Sequence, residues 1–221
     1  MAGSLQISPI LIDVKAPQKA SLITLINVGE TPMTLQLRLF QWSQSNNDDQ
    51  LTQTNAVVAS PPVVKVAPGS RQVARLIRVA QTPVNQEESY RVLVDQLPDD
   101  AFNKGINVLL RYSVPVFFSP GKLPYKPQIN AVTRATGNNM QLTISNHGPR
   151  RVRLSNIHLN QNNKQPLVFA EGLLGYVLPG STRTWDKTMP AGWYDTGAGL
   201  TLQGRTEAGD LHVPTSPSPA P

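Results

Sequence analysis

Hydrophobic and polar residues alternate with a period of two along most of this chain. Between residues 33 and 42, for instance, Met33, Leu35 and Leu37 alternate with polar side chains, and such alternation predicts half-buried β-strands. Pro and Gly recur too often to leave room for long helices, and turn residues separate the segments at a spacing typical of β-sandwiches. The strands predicted in the first part of the chain span residues 5–13, 21–27, 33–42, 56–59, 63–66, 72–79, 90–97 and 106–118.

A Pro- and Gly-rich segment at 119–124, of sequence SPGKLP, separates two strand-rich parts. We therefore predict an all-β protein with one domain at residues 4–119, a hinge at 120–126 and a second domain at 127–213. The polar stretch 43–55 is predicted to be a loop, and the tail 214–221, of sequence PTSPSPAP, is predicted to be disordered. The strands predicted in the second domain span residues 128–134, 140–146, 152–159, 167–170, 181–185, 200–205 and 211–213.

The predicted strand at 106–118 carries a long apolar row on one face. The row consists of Ile106, Val108, Leu110, Tyr112, Val114, Val116 and Phe118. Pro115 has no N–H to donate to a ladder, which favours an edge position for this strand. Two interpretations remain open. The row is buried in the core of its own sandwich, or the edge pairs with the backbone of another protein and inserts alternate side chains into its groove.

The protein is basic. The 221 residues include 20 Lys and Arg against 14 Asp and Glu, a net charge of +6, which favours an acidic partner. The dense cluster Arg150, Arg151 and Arg153 alternates into a predicted strand and is expected to form a solvated face. Aromatic residues make up only 6% of the chain, too few to predict the stacking platform of a nucleic-acid binder.

Few residues suggest reactive or metal-binding chemistry. The chain contains no Cys, which excludes disulfides, thiolate metal sites and a Cys nucleophile. His147, His158 and His212 are isolated in the sequence, and no G-x-S-x-G motif occurs. We therefore predict neither an enzyme, nor a metal site, nor a cofactor.

The hydropathy and the first residues of the chain indicate where in the cell it could reside. No stretch approaches the ~18 consecutive apolar residues of a membrane-spanning helix, so membrane insertion is not predicted. The first residues, Met1 to Ser4, lead directly into strand-like sequence. This predicts either a cytosolic protein or one whose signal peptide has been removed.

Several motifs together resemble the periplasmic pilus chaperones of the chaperone–usher pathway, the PapD-like family. They are ASPP at 59–62, VAPGSRQVARL at 66–76, ESYR at 88–91, LP at 97–98 and the segment 112–120. The resemblance implies two immunoglobulin-like β-sandwich domains set at an angle, with the working cleft between them. It also implies a periplasmic location and two partners, namely pilus subunits with incomplete immunoglobulin folds and an outer-membrane usher that receives them.

The resemblance also implies roles for individual residues. The donor strand that fills the subunit groove would use Ile106, Val108 and Leu110, with Tyr112 extending the row. Arg and Lys anchor the subunit's C-terminal carboxylate in the best-studied branch, but Pro9 and Pro115 occupy those positions here. The departure indicates a divergent branch, similar to the archaic chaperones such as that of the Csu pilus.

Cationic residues elsewhere are candidates for the missing anchor. Arg91 begins a strand expected to run antiparallel to the donor strand, and Arg suits bidentate carboxylate binding. Lys122 and Arg111 are further candidates, and each of the three could equally be an ordinary surface cation.

A separate set of charges would be structural. By resemblance, Arg75, Glu88 and Asp195 form a buried ion-pair network that fixes the angle between the domains. The alternative is three unconnected surface charges.

A rival hypothesis from another class is a structural or adhesive protein that self-associates through its edge strand. A pilin usually carries an N-terminal donor extension and one incomplete domain. This chain begins in a strand and has enough predicted strands for two complete sandwiches, which favours the chaperone.

Overall fold

The computed structural model describes residues 5–98, 108–121, 126–195 and 198–217. Within these residues every regular element is a β-strand. The chain divides into two compact units, residues 1–43 with 50–122 and residues 44–49 with 123–221. In the described part of the chain there is no helix of the length and hydropathy required to cross a membrane.

The N-terminal strands form two sheets that enclose one apolar core. One sheet has the order β1-β3-β8-β6, and the other has the order β2-β10-β9-β4-β5, with β7 also paired to β4. Ile23, Leu35, Leu76 and Val92 are fully buried between the sheets. The strands are β1 (Leu5–Ser8), β2 (Ile12–Lys15), β3 (Ala20–Asn27), β4 (Met33–Ser45), β5 (Asp48–Gln53), β6 (Val57–Ser60), β7 (Val63–Val66), β8 (Arg71–Arg78), β9 (Glu88–Leu97) and β10 (Arg111–Ser119).

The C-terminal strands form a second pair of sheets, ordered β15-β12-β11-β18 and β14-β13-β16-β17. Leu142, Ile144, Leu154 and Leu202 are fully buried in their core. The prediction of an all-β protein with two immunoglobulin-like sandwiches is thus confirmed. The strands are β11 (Ile129–Thr136), β12 (Asn139–Asn146), β13 (Val152–Asn160), β14 (Leu167–Val177), β15 (Thr182–Thr188), β16 (Thr201–Thr206), β17 (Gly209–Pro214) and β18 (Ser216–Pro217).

The two units repeat the same corner. In each, a buried Asn side chain accepts a hydrogen bond from the N–H of a Gly two residues later and donates to two backbone carbonyls. For Asn27 the carbonyls belong to Thr31 and Val66, at 2.8 and 3.0 Å. For Asn146 they belong to Arg150 and Val177, at 2.8 and 2.9 Å. A side-chain amide therefore satisfies backbone groups that the strands leave unpaired at this bend.

Three sequence predictions about the elements are wrong. The predicted strand 5–13 is two strands, because Pro9 lies in the break where the chain leaves one sheet for the other. The predicted loop 43–55 contains a hairpin between β4 and β5, turned by Asn46 and Asn47 with φ of 51° and 62°. The predicted disorder of the tail fails for residues 214–217, since β18 pairs with β11, whereas 218–221 lie outside the described residues.

The cluster of arginines at 150–153 is also not the solvated face that was predicted. The Arg151 side chain is only 2% exposed and lies 3.1 Å from a Glu207 carboxylate oxygen. A Glu on the loop between β16 and β17 supplies this charge, and so the guanidinium is buried together with a counter-ion.

Candidate functional site

The apolar row is divided between a core strand and a projecting segment. Val114, Val116 and Phe118 of β10 are buried in the core of the first unit, as the core interpretation predicts. Leu110 and Tyr112 are partly buried against that core, and the Tyr112 hydroxyl donates to the Leu5 carbonyl at 2.9 Å. These contacts fix the inward direction of the row.

The row leaves the sandwich before β10 begins. Val108 is 64% exposed and its neighbour Leu109 is 43% exposed. The predicted strand began at 106, whereas the observed strand begins at Arg111, and within the described residues Val108 to Leu110 precede it. Ile106, the first predicted donor residue, lies outside the described residues.

β10 lies at the edge of its sheet only over its first half. β9 pairs with β10 from Arg111 to Phe118, whereas β2 pairs with it only from Val116 to Ser119. Among the described strands, β9 is therefore the sole neighbour of β10 before Val116. Pro115 stands at the last position of this open stretch, which is consistent with its missing N–H.

Two residues of β9, Asp95 and Gln96, hold the start of β10. The N–H of Gln96 donates to the Leu110 carbonyl at 2.9 Å, and the Gln96 side-chain oxygen accepts from the Leu110 N–H at 3.4 Å. Asp95 lies opposite Arg111 in the ladder and accepts a hydrogen bond from its Nε. Arg111, a candidate for the subunit's carboxylate, therefore already has a carboxylate partner within its own sheet.

Asp95 also binds a second guanidinium, that of Arg38 on β4. Arg38 donates to Asp95 Oδ2 from Nε at 3.1 Å and from Nη2 at 2.7 Å. Burial raises the pKa of Asp95, but the hydrogen bonds from Arg111 and Arg38 outweigh it, so that the pKa is lower than the usual value. The carboxylate is ionised at neutral pH.

Arg91 lies on the same face of the sheet, opposite Pro115 in the antiparallel β9–β10 ladder. The antiparallel pairing expected for this strand is therefore confirmed. The Arg91 guanidinium carbon lies 3.9 Å from the centroid of the Trp42 ring, a cation–π contact that holds the side chain against the sheet. Trp42 in turn packs on Phe117, with ring centroids 5.8 Å apart.

The ion pair at Glu88 differs from the predicted one. Its partner is Arg78, whose Nε and Nη2 donate to the two carboxylate oxygens at 2.7 and 2.6 Å. Arg75, the predicted partner, is exposed, because it lies on the outward parity of β8 while Ala74, Leu76 and Arg78 point inward. The predicted pairing of Arg75 with Glu88 is therefore wrong, because the arginine that binds Glu88 lies on the inward face of β8.

The Arg78–Glu88 pair is well satisfied. Arg78 also donates to the Ala80 carbonyl at 2.8 Å, and the Tyr90 hydroxyl donates to Glu88 at 3.0 Å. The hydrogen bond to Glu88 raises the pKa of Arg78 against the opposing effect of burial. Burial raises the pKa of Tyr90, and the Glu88 charge adds to this increase. The alternation of β8 was the sequence signal that could have identified Arg78.

The remaining candidates do not join this pair. Asp195 belongs to the second unit, where its side chain is 61% exposed and accepts from Lys164 Nζ at 2.8 Å. It is therefore not a buried network residue of the kind predicted. Lys122 lies outside the described residues.

The described part of the first unit has the features of a binding surface. No group of three or more His, Asp or Glu side chains able to hold a metal occurs within the described ranges. What the first unit presents is an open strand edge, two exposed aliphatic side chains next to it, and a set of arginines on the outer face of the sheet. Backbone pairing at such an edge, together with apolar insertion, is the chemistry of strand addition.

Solved structures of known proteins share this fold over nearly the whole chain. The CsuC–CsuE complex, a chaperone–tip adhesion subunit pre-assembly complex of archaic Csu pili from Acinetobacter baumannii, matches with a TM-score of 0.73 and 24% identity, covering 98% of this chain and 100% of that one. The YadV chaperone matches with a TM-score of 0.66 and 19% identity, covering 96% and 98%. The Salmonella enterica complex of SafA pilin with the SafB chaperone matches with a TM-score of 0.65 and 17% identity, covering 97% and 96%.

Sequence comparison gives the family. The chain is 27% identical over 150 residues to YhcA, an uncharacterized fimbrial chaperone of Escherichia coli (strain K12), and the match covers 67% of this chain but only 63% of that relative. Residues 4–124, more than half of the chain, match the family described as pili and flagellar-assembly chaperone, PapD N-terminal domain. The family predicted from the sequence is confirmed: this protein belongs to the PapD-like pilus-assembly chaperones.

Proposed function

We propose that this protein is a periplasmic chaperone that binds pilus subunits by donor-strand complementation and delivers them to an outer-membrane usher. The observation that carries the proposal is the open edge of β10, with the exposed Val108 at its start. When a strand of the subunit pairs along this edge, the apolar groove of the subunit would receive the Val108 side chain. Membership of the family and the fold shared with the chaperone–subunit complexes support this assignment.

Burial of the exposed side chain supplies part of the affinity. Burying a Val side chain contributes about 1.5 kcal/mol or more, which corresponds to roughly a tenfold change in affinity. Leu110 is less informative in this respect, because it already packs on the chaperone's own core. Val108 is therefore the described residue of the row whose side chain is most available to a partner.

We further propose Arg91 as the residue that binds the subunit's C-terminal carboxylate. It lies on the outer face of β9, level with Pro115, and its guanidinium carbon lies over the Trp42 ring at 3.9 Å from the centroid. A planar guanidinium held in one orientation favours bidentate binding of a carboxylate.

The donor-strand proposal is tested with neighbouring substitutions of opposite parity. Val108→Asn and Leu109→Asn each place the same polar side chain at an exposed position. After co-expression with a subunit of the same pilus system, we expect Val108→Asn to lower subunit recovery about tenfold or more, and Leu109→Asn to change it far less. Equal recovery with wild type and Val108→Asn would refute the proposal.

The rival function, self-association through the edge strand, is distinguished by mass. Native mass spectrometry of the protein purified alone and with a subunit should show a small species and a defined heterodimer, respectively. A ladder of homopolymers that disappears with Val108→Asn would instead support the structural or adhesive protein.

A further inference from the structure

The start of β10 is held by a charged cluster that lies next to the exposed apolar segment. Asp95 lies between two arginines, Arg111 from β10 and Arg38 from β4. The Asp95 side chain is only 11% exposed, whereas Arg38 and Arg111 are 40% and 64% exposed. The carboxylate is thus the fixed, buried member, and each guanidinium reaches down to it from the sheet surface.

The position of this cluster in the ladder determines what it can control. Arg111 is the first residue of β10 and follows directly on Leu110. Gln96, next to Asp95, binds both the N–H and the carbonyl of Leu110. Two consecutive residues of β9 therefore hold two consecutive residues at the point where the chain enters the sheet, while Val108 beyond them is exposed.

Alternation makes the register at this point critical. A shift of one residue would turn Leu110 and Val108 to the opposite face of the sheet. Backbone hydrogen bonds alone do not prevent such a shift, since they are the same for every residue. The core contacts of Val114, Val116 and Phe118 set the register of β10 itself. The pair between Arg111 and Asp95 carries that register to the residue at which β10 begins, because only one register brings the two side chains opposite each other.

We propose that Asp95 is a positioning residue for subunit binding, which fixes the register of the segment Val108–Leu110 through its ion pair with Arg111. The proposal rests on the donor-strand function proposed above. It assigns Arg111 to a carboxylate of its own chain and not to that of the subunit. Arg38 binds the same carboxylate from β4, on the opposite side of β9 from β10, and stabilises Asp95.

Capture of a co-expressed subunit tests the roles of the arginines. Arg111→Gln and Asp95→Asn should each lower subunit recovery at least fivefold, and the double variant should lose no more than the stronger single one, because both remove one interaction. Arg38→Gln is the matched control, since it removes the other half of the same cluster, and should change recovery less than twofold. Equal losses for Arg38→Gln and Arg111→Gln would overturn the positioning role in favour of a general structural one.

A cross-linking experiment reads the register directly. The protein has no Cys, so Val108→Cys introduces one thiol, which is paired with single-Cys variants along the subunit's groove. In the otherwise wild-type chaperone we expect disulfide formation at one groove position, and in the Asp95→Asn background we expect it to spread to neighbouring positions with at least a fivefold loss at the first. An unchanged single position would overturn the inference.

The outcomes separate this inference from the function on which it rests. If the wild-type chaperone captures no subunit, the donor-strand function fails. If it captures the subunit and Asp95→Asn and Arg111→Gln do so equally well, the donor-strand function stands and the positioning role fails. Hydrogen exchange of the first unit identifies any loss caused by unfolding, and the exposed Arg111→Gln site keeps the test valid if Asp95→Asn is unstable.

Discussion

Replacement of Arg78 by Met should destabilise the first unit, whereas the same replacement of Arg75 should not. The Arg78 side chain is 2% exposed and binds Glu88 through two hydrogen bonds and the Ala80 carbonyl through a third. Arg75 lies three residues earlier on the same strand, and its side chain points to solvent. The two variants remove the same charge and add the same side chain, so that only the environment differs.

The expected magnitude follows from the partners that Arg78 leaves behind. Removing one member of a buried ion pair typically costs ~3–5 kcal/mol. Glu88 is 28% exposed, so water can solvate part of its charge, and Met fills part of the apolar volume. We therefore expect Arg78→Met to lower the free energy of unfolding of this unit by about 2–3 kcal/mol, and Arg75→Met to change it by ~0.5 kcal/mol or less.

Native-state hydrogen exchange is the appropriate assay, because the two units need not unfold together. Amides of β8 and β9 report the free energy of opening of the first unit alone. Glu88→Gln combined with Arg78→Met should cost less than the sum of the single changes, since both affect one pair. Similar losses for Arg78→Met and Arg75→Met, or no loss for either, would refute the assignment of Arg78 as the buried partner.

Three further predictions concern other contacts. Asn27→Ala and Asn146→Ala should each destabilise only their own unit by about 2 kcal/mol or more, because buried carbonyls lose their donor; hydrogen exchange that showed both units affected by either variant would contradict this. The pKa of Asp95 is lower in the folded protein, so its contribution to stability is present above about pH 4 and is lost as the pH falls through the folded-state pKa. Acid unfolding should therefore be less steep in Asp95→Asn, and identical curves would exclude the effect. Arg91→Ala should weaken subunit capture and Arg91→Lys should restore only part of it, whereas full capture by Arg91→Ala would place the carboxylate anchor elsewhere.

Alternation in the sequence determined which segments form strands and which of their faces form the core. The even-numbered residues Val114, Val116 and Phe118 belong to the core between the sheets, as their period of two predicts, whereas Phe117 is buried on the other face against Trp42. The family motifs at 59–76 and 88–98 added the assignment to pilus chaperones, which the match to the family confirms. Where no alternation exists, as in the fully exposed strand β5, whose single apolar residue is Leu51, the sequence pointed to a loop although the turn residues Asn46 and Asn47 favour a hairpin.

Charge partners were decided by the tertiary structure. Alternation shows that Arg78 points inward, but only the packing of β8 near β9 shows that Glu88 meets it. Likewise, Asp95 binds Arg38 across 57 positions of sequence, and nothing in the local pattern of either strand specifies the other. The physical reason is that burial depends on the period of a strand, which is local. The pair of Asp95 with Arg38 depends on strand order and register within one sheet, and the pair of Arg78 with Glu88 depends on how the two sheets pack, and both are set by long-range contacts.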